Sequence, residues 1–149
     1  MTACALTGHR RLPPDFDFNA LYDALEHFAE MGCGTFYCGM AQGFDLAALD
    51  CLVDLKMKYP IRIVACIPFA GQERSFPAAE RKKYRELLQW CDEKVVLSPA
   101  YHAGSYLMRN RYMVERADVL LAYCKKETGG SAYTLRYARE MGLDIYKIE

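Results

Sequence analysis

The chain has 149 residues, 52% of them apolar, and balances 19 lysines and arginines against 19 aspartates and glutamates. That length and apolar share exclude a disordered chain and fit one folded domain over residues 1–149. Zero formal net charge argues against holding nucleic acid mainly through a global basic field and leaves only a local patch.

Strand-like and helical runs then alternate from end to end. Ala3–Leu6 reads as the first strand, and Leu21, Leu25, Phe28 and Ala29 recur at helical spacing until Gly32 and Gly34. Thr35–Cys38 is the second strand. Leu46, Leu49, Val53 and Met57 mark a second helix, which must stop before Pro60. Arg62–Ile67 is a β-branched strand ending at Pro68. Ser75 can cap and Pro77 can open a helix running to about Cys91. Lys94–Leu97, a helix from about Ser105 to Arg116, and Val119–Tyr123 follow. The last helix starts after Gly130 and ends at Gly142, and Ile145–Ile148 is a final strand. This alternation predicts an α/β fold: a single Rossmann-like domain with a mostly parallel sheet flanked by helices on both faces.

No run is long enough to span a bilayer, so no membrane partner is expected. The segment Met1–Leu6 lacks the basic and long apolar regions of a signal peptide. Seven cysteines, none in C-x-x-C spacing, read as reduced thiols of a cytoplasmic protein rather than disulfides or a zinc site. No metal is expected, because His27 and His102 lack partners at ligand spacing, and no cofactor is expected either.

Three glycine-bearing loops carry the chemistry. They are Thr7-Gly8-His9-Arg10, Gly39-Met40-Ala41-Gln42-Gly43-Phe44-Asp45, and Thr128-Gly129-Gly130-Ser131-Ala132-Tyr133-Thr134. A parallel sheet puts such loops on one edge, where ligands bind. Glycine lets backbone N–H groups approach a phosphate, and a helix N-terminus adds partial positive charge. Arg10 can grip phosphate in a bidentate fork, and His9 can donate a hydrogen bond. Asp45 can cap its helix or bond a ribose hydroxyl. Gly129 and Gly130 form a candidate anion nest, with the Ser131 and Thr134 hydroxyls beside it; alternatively Ser131 simply caps the helix. Arg109 and Arg111 cannot share one helix face at their spacing. Tyr101, Tyr106 and Tyr112 read either as core and interface residues or as base-stacking rings.

Taken together, Thr7–Arg10, Gly39–Ala48, Pro68-Phe69 and Arg109-Asn110-Arg111-Tyr112-Met113 through Leu121 resemble the YpsA-like family of the SLOG superfamily. That superfamily also contains the DNA-processing protein DprA and the LOG phosphoribohydrolases. The resemblance covers essentially the whole chain in the same order. It implies a Rossmann-like fold and a nucleotide- or nucleic-acid-binding loop edge, adding Met40, Ala41, Pro68, Phe69, Arg109 and Asn110 to the site. LOG enzymes carry Gly-Gly-x-Gly-Thr-x-x-Glu, whose Glu takes part in cleaving the N-glycosidic bond. Here the turn is one residue longer, Tyr137 falls where that Glu would be, and Glu140 lies a turn further on.

The expected function is binding of a nucleotide or nucleotide-derived small molecule, by a sensor or sequestering protein. Gly8, Gly39, Gly43, Gly129 and Gly130 shape the loops, Arg10 and Arg109 neutralise phosphate, and Ser131 and Thr134 donate hydroxyl bonds. Two alternatives stand beside it: a LOG-like hydrolase of nucleotide N-glycosidic bonds, and a DprA-like binder of single-stranded DNA. Weak single-stranded nucleic-acid binding and a homo-oligomer are left open.

Overall fold

In the computed structural model, which describes Thr2–Glu149, six strands form one sheet: β1 (Thr2–Gly8), β2 (Cys33–Cys38), β3 (Arg62–Ile67), β4 (Glu93–Val96), β5 (Val119–Tyr123) and β6 (Asp144–Lys147). Their order is β4-β3-β2-β1-β5-β6, and every neighbouring pair is parallel. The sheet is thus parallel throughout. The helices are α1 (Phe18–Glu30), α2 (Phe44–Leu55), α3 (Ala78–Leu88), α4 (Ser105–Arg116) and α5 (Gly130–Glu140), with a single 3₁₀ turn at Gln72–Ser75.

Residue alternation along the strands divides the core. Cys4 and Leu6 of β1 and Leu121 and Tyr123 of β5 face the layer of α1, α2 and α3, against Leu21, Leu25, Phe44, Leu49 and Tyr84. Ala5, Leu120 and Ala122 point the other way, onto Met113 and Val114 of α4 and Leu135 and Ala138 of α5. Burying one such aliphatic side chain contributes roughly 1.5–3 kcal/mol, which fixes strand register through the pleat. The edge strands β4 and β6 carry the charges Glu93, Lys94, Asp144 and Lys147 and are mostly exposed. Charge on an open edge discourages pairing with another chain.

From β1 to β4 the chain steps outward in one direction. It then crosses back, and β5 pairs on the other side of β1, from Cys4↔Val119 to Gly8↔Tyr123. The connections leaving β1 and β5 therefore diverge to opposite layers and open a crevice above the two strand ends. The ladder continues through Thr7↔Ala122 and Gly8↔Tyr123, so β1 runs two residues beyond Leu6. Both expected loop residues are strand residues facing the crevice.

Local chemistry sets the helix starts. Asp17 caps α1, its carboxylate accepting from the Ala20 N–H at 2.9 Å, an arrangement worth about 1 kcal/mol. Ser75 does not cap α3: it closes the 3₁₀ turn and donates to the Gln72 carbonyl, while Pro77 is the cap residue and the helix begins at Ala78. Asp45 does not cap α2 either. Gly43 does, at φ 73°, and Asp45 lies in the first turn. The Phe44 N–H donates to the His9 carbonyl at 3.0 Å, pinning α2 to the loop after β1.

A β-carbon at Gly43 would lie 2.3 Å from the Arg10 carbonyl oxygen. Gly43→Ala is therefore expected to cost at least about 1–2 kcal/mol from the left-handed backbone alone, with the clash added. Urea unfolding reads this directly, and an unchanged midpoint would show that the two loops are not locked together there.

Candidate functional site

A cavity of about 530 Å³ fills the crevice at the ends of β1 and β5. Leu6, Thr7 and Gly8 of β1 form its floor, and His9, Arg10 and Arg11 continue up one wall. Ala41 and Asp45 enter from the α2 side, Tyr106, Arg109 and Asn110 from α4. Lys126, Thr128, Gly129, Gly130 and Ser131 close it from the β5–α5 connection. Eleven of these lining residues, from Thr7 to Ser131, are among those that the sequence singles out.

Six singled-out residues do not line the cavity, each for a visible reason. The Gly39 carbonyl accepts from Arg109 Nη1. Met40 is fully buried at φ 62°, and its carbonyl accepts from the buried Gln72 amide at 3.2 Å. Gly43 packs on the Arg10 backbone. Pro68 is buried, and Phe69 stands edge-on to Tyr101 and to Tyr106, supporting Tyr106 from behind. The Thr134 hydroxyl donates to the Gly130 carbonyl at 2.9 Å inside α5 and is not free for a ligand. Ser131 is no cap: Gly129 is, at φ 101°, and no side chain caps α5. The N–H groups of that first turn therefore face the crevice unspent.

Arg11 and Lys126 line the cavity without having been singled out in the sequence, while Tyr106, read as a core or stacking ring, and Thr128, which opens the third glycine loop, line it without an assigned contact. Tyr106 lies three residues before Arg109 on α4, hence on the same face. Lys126 and Thr128 follow β5 directly, at the edge where loops of a parallel sheet collect ligands.

The deepest part of the site is a meeting of two layers. Arg109 reaches over from α4 and Asp45 from α2, and each is only 5% exposed. Both come within 2.9 Å of the point where a side chain at Gly39 would begin, so a β-carbon there would push the Arg109 guanidinium and the Asp45 carboxylate out of place. Arg109 Nε donates to Asn110 Oδ1 at 2.8 Å and Nη1 to the Gly39 carbonyl. Asp45 Oδ2 accepts from the Ala41 N–H at 3.2 Å. Among the described residues all six ion pairs lie elsewhere, so Arg109 and Asp45 face each other without closing. Arg109 Nη2 and Asp45 Oδ1 have no protein partner. Since no fully buried side-chain nitrogen or oxygen is left unbonded among the described residues, these two atoms open onto the cavity. Burial pushes the Asp45 carboxyl up to about 6, against the pull of Arg109 and Arg10. Burial also lowers the Arg109 pKa.

Nearer the mouth, His9 Nε2 accepts from the Lys125 N–H at 2.8 Å, joining the β1 and β5 connections. Burial, then Lys126, lowers its pKa. The accepting nitrogen must be unprotonated, as that shift favours. Arg10 stacks its guanidinium 4.4 Å from the Tyr106 ring centroid. Asp45 is thus the single carboxylate lining a cavity that presents Arg10, Arg11, Arg109 and Lys126. Arg111 faces away and donates to Tyr133. Tyr137 is outside too, its hydroxyl donating to Glu115 at 2.5 Å. Among the described residues no three His, Cys, Asp or Glu side chains gather as a metal site would need, and no helix is long and apolar enough to cross a membrane.

Fold and crevice together define a Rossmann-like α/β domain with a basic cavity at its topological switch point. The chain belongs to the YspA SLOG family, whose YpsA model matches residues 18–148. It is 29% identical over 115 residues to UPF0398 protein BH1768 of Halalkalibacterium halodurans, covering 74% of this chain and 61% of that protein. It is 25% identical over 128 residues to the SPbeta prophage-derived protein YoqJ of Bacillus subtilis, covering 76% and 75%. The chain spans about three-fifths of the length of the first two curated relatives it matches. Its fold is similar to that of DNA processing protein A from Streptococcus pneumoniae, with TM-score 0.74, 20% identity, and 99% of this chain and 50% of that one covered. It is also similar to DNA processing protein A from Helicobacter pylori, described for its single-stranded DNA binding mode, with TM-score 0.72, 18% identity, and coverage of 99% and 65%.

The buried carboxyl yields a pH signature. Asp45 is raised from 3.8 to about 6 in the folded protein, so the folded state holds its proton more tightly than the unfolded chain. That contribution to stability is full below the unfolded pKa and is lost as pH rises through about 6. Asp45→Asn keeps a neutral group in place. It is expected to exceed the wild type in stability at about pH 8, by up to about 3 kcal/mol, with the gap closing towards about pH 4. Urea unfolding across that range checks it. A wild type more stable than the variant at about pH 8 would mean that Arg109 outweighs burial.

Proposed function

We propose that this chain binds a nucleotide or nucleotide-derived small molecule at the C-terminal edge of its sheet and acts by holding it, as a sensor or a sequestering protein. The observation that carries this reading is the cavity's charge: three arginines and a lysine line it against one carboxylate, in a chain of zero net charge. A phosphate at the α5 N-terminus meets unspent N–H groups and the positive end of the helix. Arg109 Nη2 donates to a phosphate or sugar oxygen, and Asp45 Oδ1 accepts from a sugar hydroxyl. Thr7, Asn110 and Ser131 add polar groups around them. A cytoplasmic setting, in which the seven unpaired cysteines stay reduced, belongs to the same reading.

A second reading is single-stranded nucleic-acid binding. It is supported by the fold shared with DNA processing protein A and by the exposed Tyr101 beside Phe69 and Tyr106. Such binding would track the phosphate backbone and weaken steeply with salt. Hydrolysis of an N-glycosidic bond needs an acid or base beside that bond. Tyr137 and Glu140 stand outside the cavity, and Asp45 is the carboxylate that lines it.

Two substitutions test the main reading by calorimetric titration with nucleoside monophosphates. Arg109→Lys is expected to weaken binding about tenfold, because one ammonium cannot keep the Gly39 and Asn110 bonds and also present the ligand with a charge-assisted donor worth roughly 1.5–3 kcal/mol. A β-carbon at Gly130 meets no atom within 4 Å, so Gly130→Val is expected to keep the fold while its methyls cover the anion seat, and binding is expected to vanish. Undiminished affinity in either variant contradicts the assignment. Tight, steeply salt-dependent binding of single-stranded DNA in a gel-shift series would favour the second reading, and free base lost in Asp45→Asn would favour hydrolysis.

A further inference from the structure

A second cavity, of about 450 Å³, adjoins the first and is lined by Arg10, Arg11, Gln42, Ser75, Pro77 and Glu80. Arg10 and Arg11 line both cavities, so the two share a cationic neck. Neither arginine belongs to any ion pair among the described residues. Arg10 is held at the neck by its stacking on Tyr106.

The far wall of the second cavity differs in chemistry. Gln42 Nε2 donates to Glu80 Oε2 at 2.6 Å. Glu80 makes no ion pair among the described residues, and its other oxygen has no protein donor and is an open acceptor. The Gln42 carbonyl oxygen is a second acceptor without a protein partner, and the Ser75 hydroxyl stands nearby. Acceptors grouped this way suit a polyhydroxylated group and repel a phosphate. The wall is held in shape from behind, where Gln72 bonds both the Met40 carbonyl and the Tyr84 hydroxyl.

We infer that the two cavities are the two halves of one site for a diphosphate-linked nucleotide, with its nucleoside half in the first cavity, its diphosphate at the Arg10–Arg11 neck, and a second sugar-like group on Gln42 and Glu80. The inference rests on the nucleotide reading above and names the ligand class within it. Each cavity falls within the range of about 300–1,000 Å³ typical of small-molecule pockets. A monophosphate leaves the second one unused.

Calorimetric titration of the full chain with two matched pairs, AMP against ADP-ribose and UMP against UDP-glucose, tests it. In at least one pair the diphosphate-linked ligand is expected to bind about tenfold or more tighter than its own monophosphate. Glu80→Ala and the shape-conserving Glu80→Gln are expected to remove most of that advantage and leave the monophosphate affinity unchanged, with thermal melts confirming the fold. Monophosphates that bind as tightly as their diphosphate-linked partners, or an advantage that survives both Glu80 variants, would overturn the second half-site alone. Failure of all four ligands to bind would overturn the nucleotide reading and this inference together.

Discussion

The site depends on one buried contact between layers, that of the Arg109 guanidinium with the Gly39 carbonyl at the end of β2. A guanidinium taken out of water is costly unless its protons are used. Two of its nitrogens are committed, to Gly39 and to Asn110. The third has only the cavity, where Asp45 stands opposite without pairing. A donor and an acceptor are thus held apart by rigid elements, α4 on one side and α2 on the other. The gap between them is pre-organised for a group able both to accept and to donate, as a sugar hydroxyl does. The raised Asp45 pKa is the electrostatic cost of burying that carboxylate, which the nearby Arg109 and Arg10 only partly offset.

Other local choices serve the same geometry. Gly43 lets α2 start against the Arg10 backbone, which brings Asp45 to the cavity and leaves the Arg10 side chain for the neck. Met40 keeps a left-handed backbone that costs roughly 1–2 kcal/mol for a residue with a β-carbon. Its buried side chain and its bond from Gln72 offset that strain. The buried amide thus holds in one conformation the loop that carries Ala41 and Asp45 to the cavity.

Much of this was legible in the sequence, for local reasons. Arg62–Ile67, Ser105–Arg116 and Val119–Tyr123 end where their patterns end, because apolar period and the flanking residues agree. The glycine loops point to the edge where the cavity lies because a parallel sheet gathers its strand-to-helix loops there. What was not legible is non-local. The crevice exists because β5 pairs with β1, a choice expressed in contacts such as the Ala3 N–H to Asp118, 115 residues apart. Without that pairing, nothing distinguishes Gly43, whose role is to let two loops touch, from Gly129 and Gly130, which face the cavity. The bond that Thr134 makes inside its helix is hidden from the sequence for a related reason. A hydroxyl one turn into a helix competes for the carbonyl four residues back, and here that internal bond forms. Arg11 and Lys126 read as ordinary surface charges until the fold brings them to one cavity.

Shared folds do not fix function in this superfamily, since the same sheet can carry different loops and different ligands. In the reading proposed above, the crevice between β1 and β5 seats a nucleotide phosphate on the first turn of α5. Backbone amide NMR during titration with AMP and UMP measures this most directly. Saturable shifts are expected, centred on the amides of Gly8, Gly129, Gly130 and Ser131, with little change along β4 and β6. Shifts centred on another surface, or none at millimolar nucleotide, would contradict it.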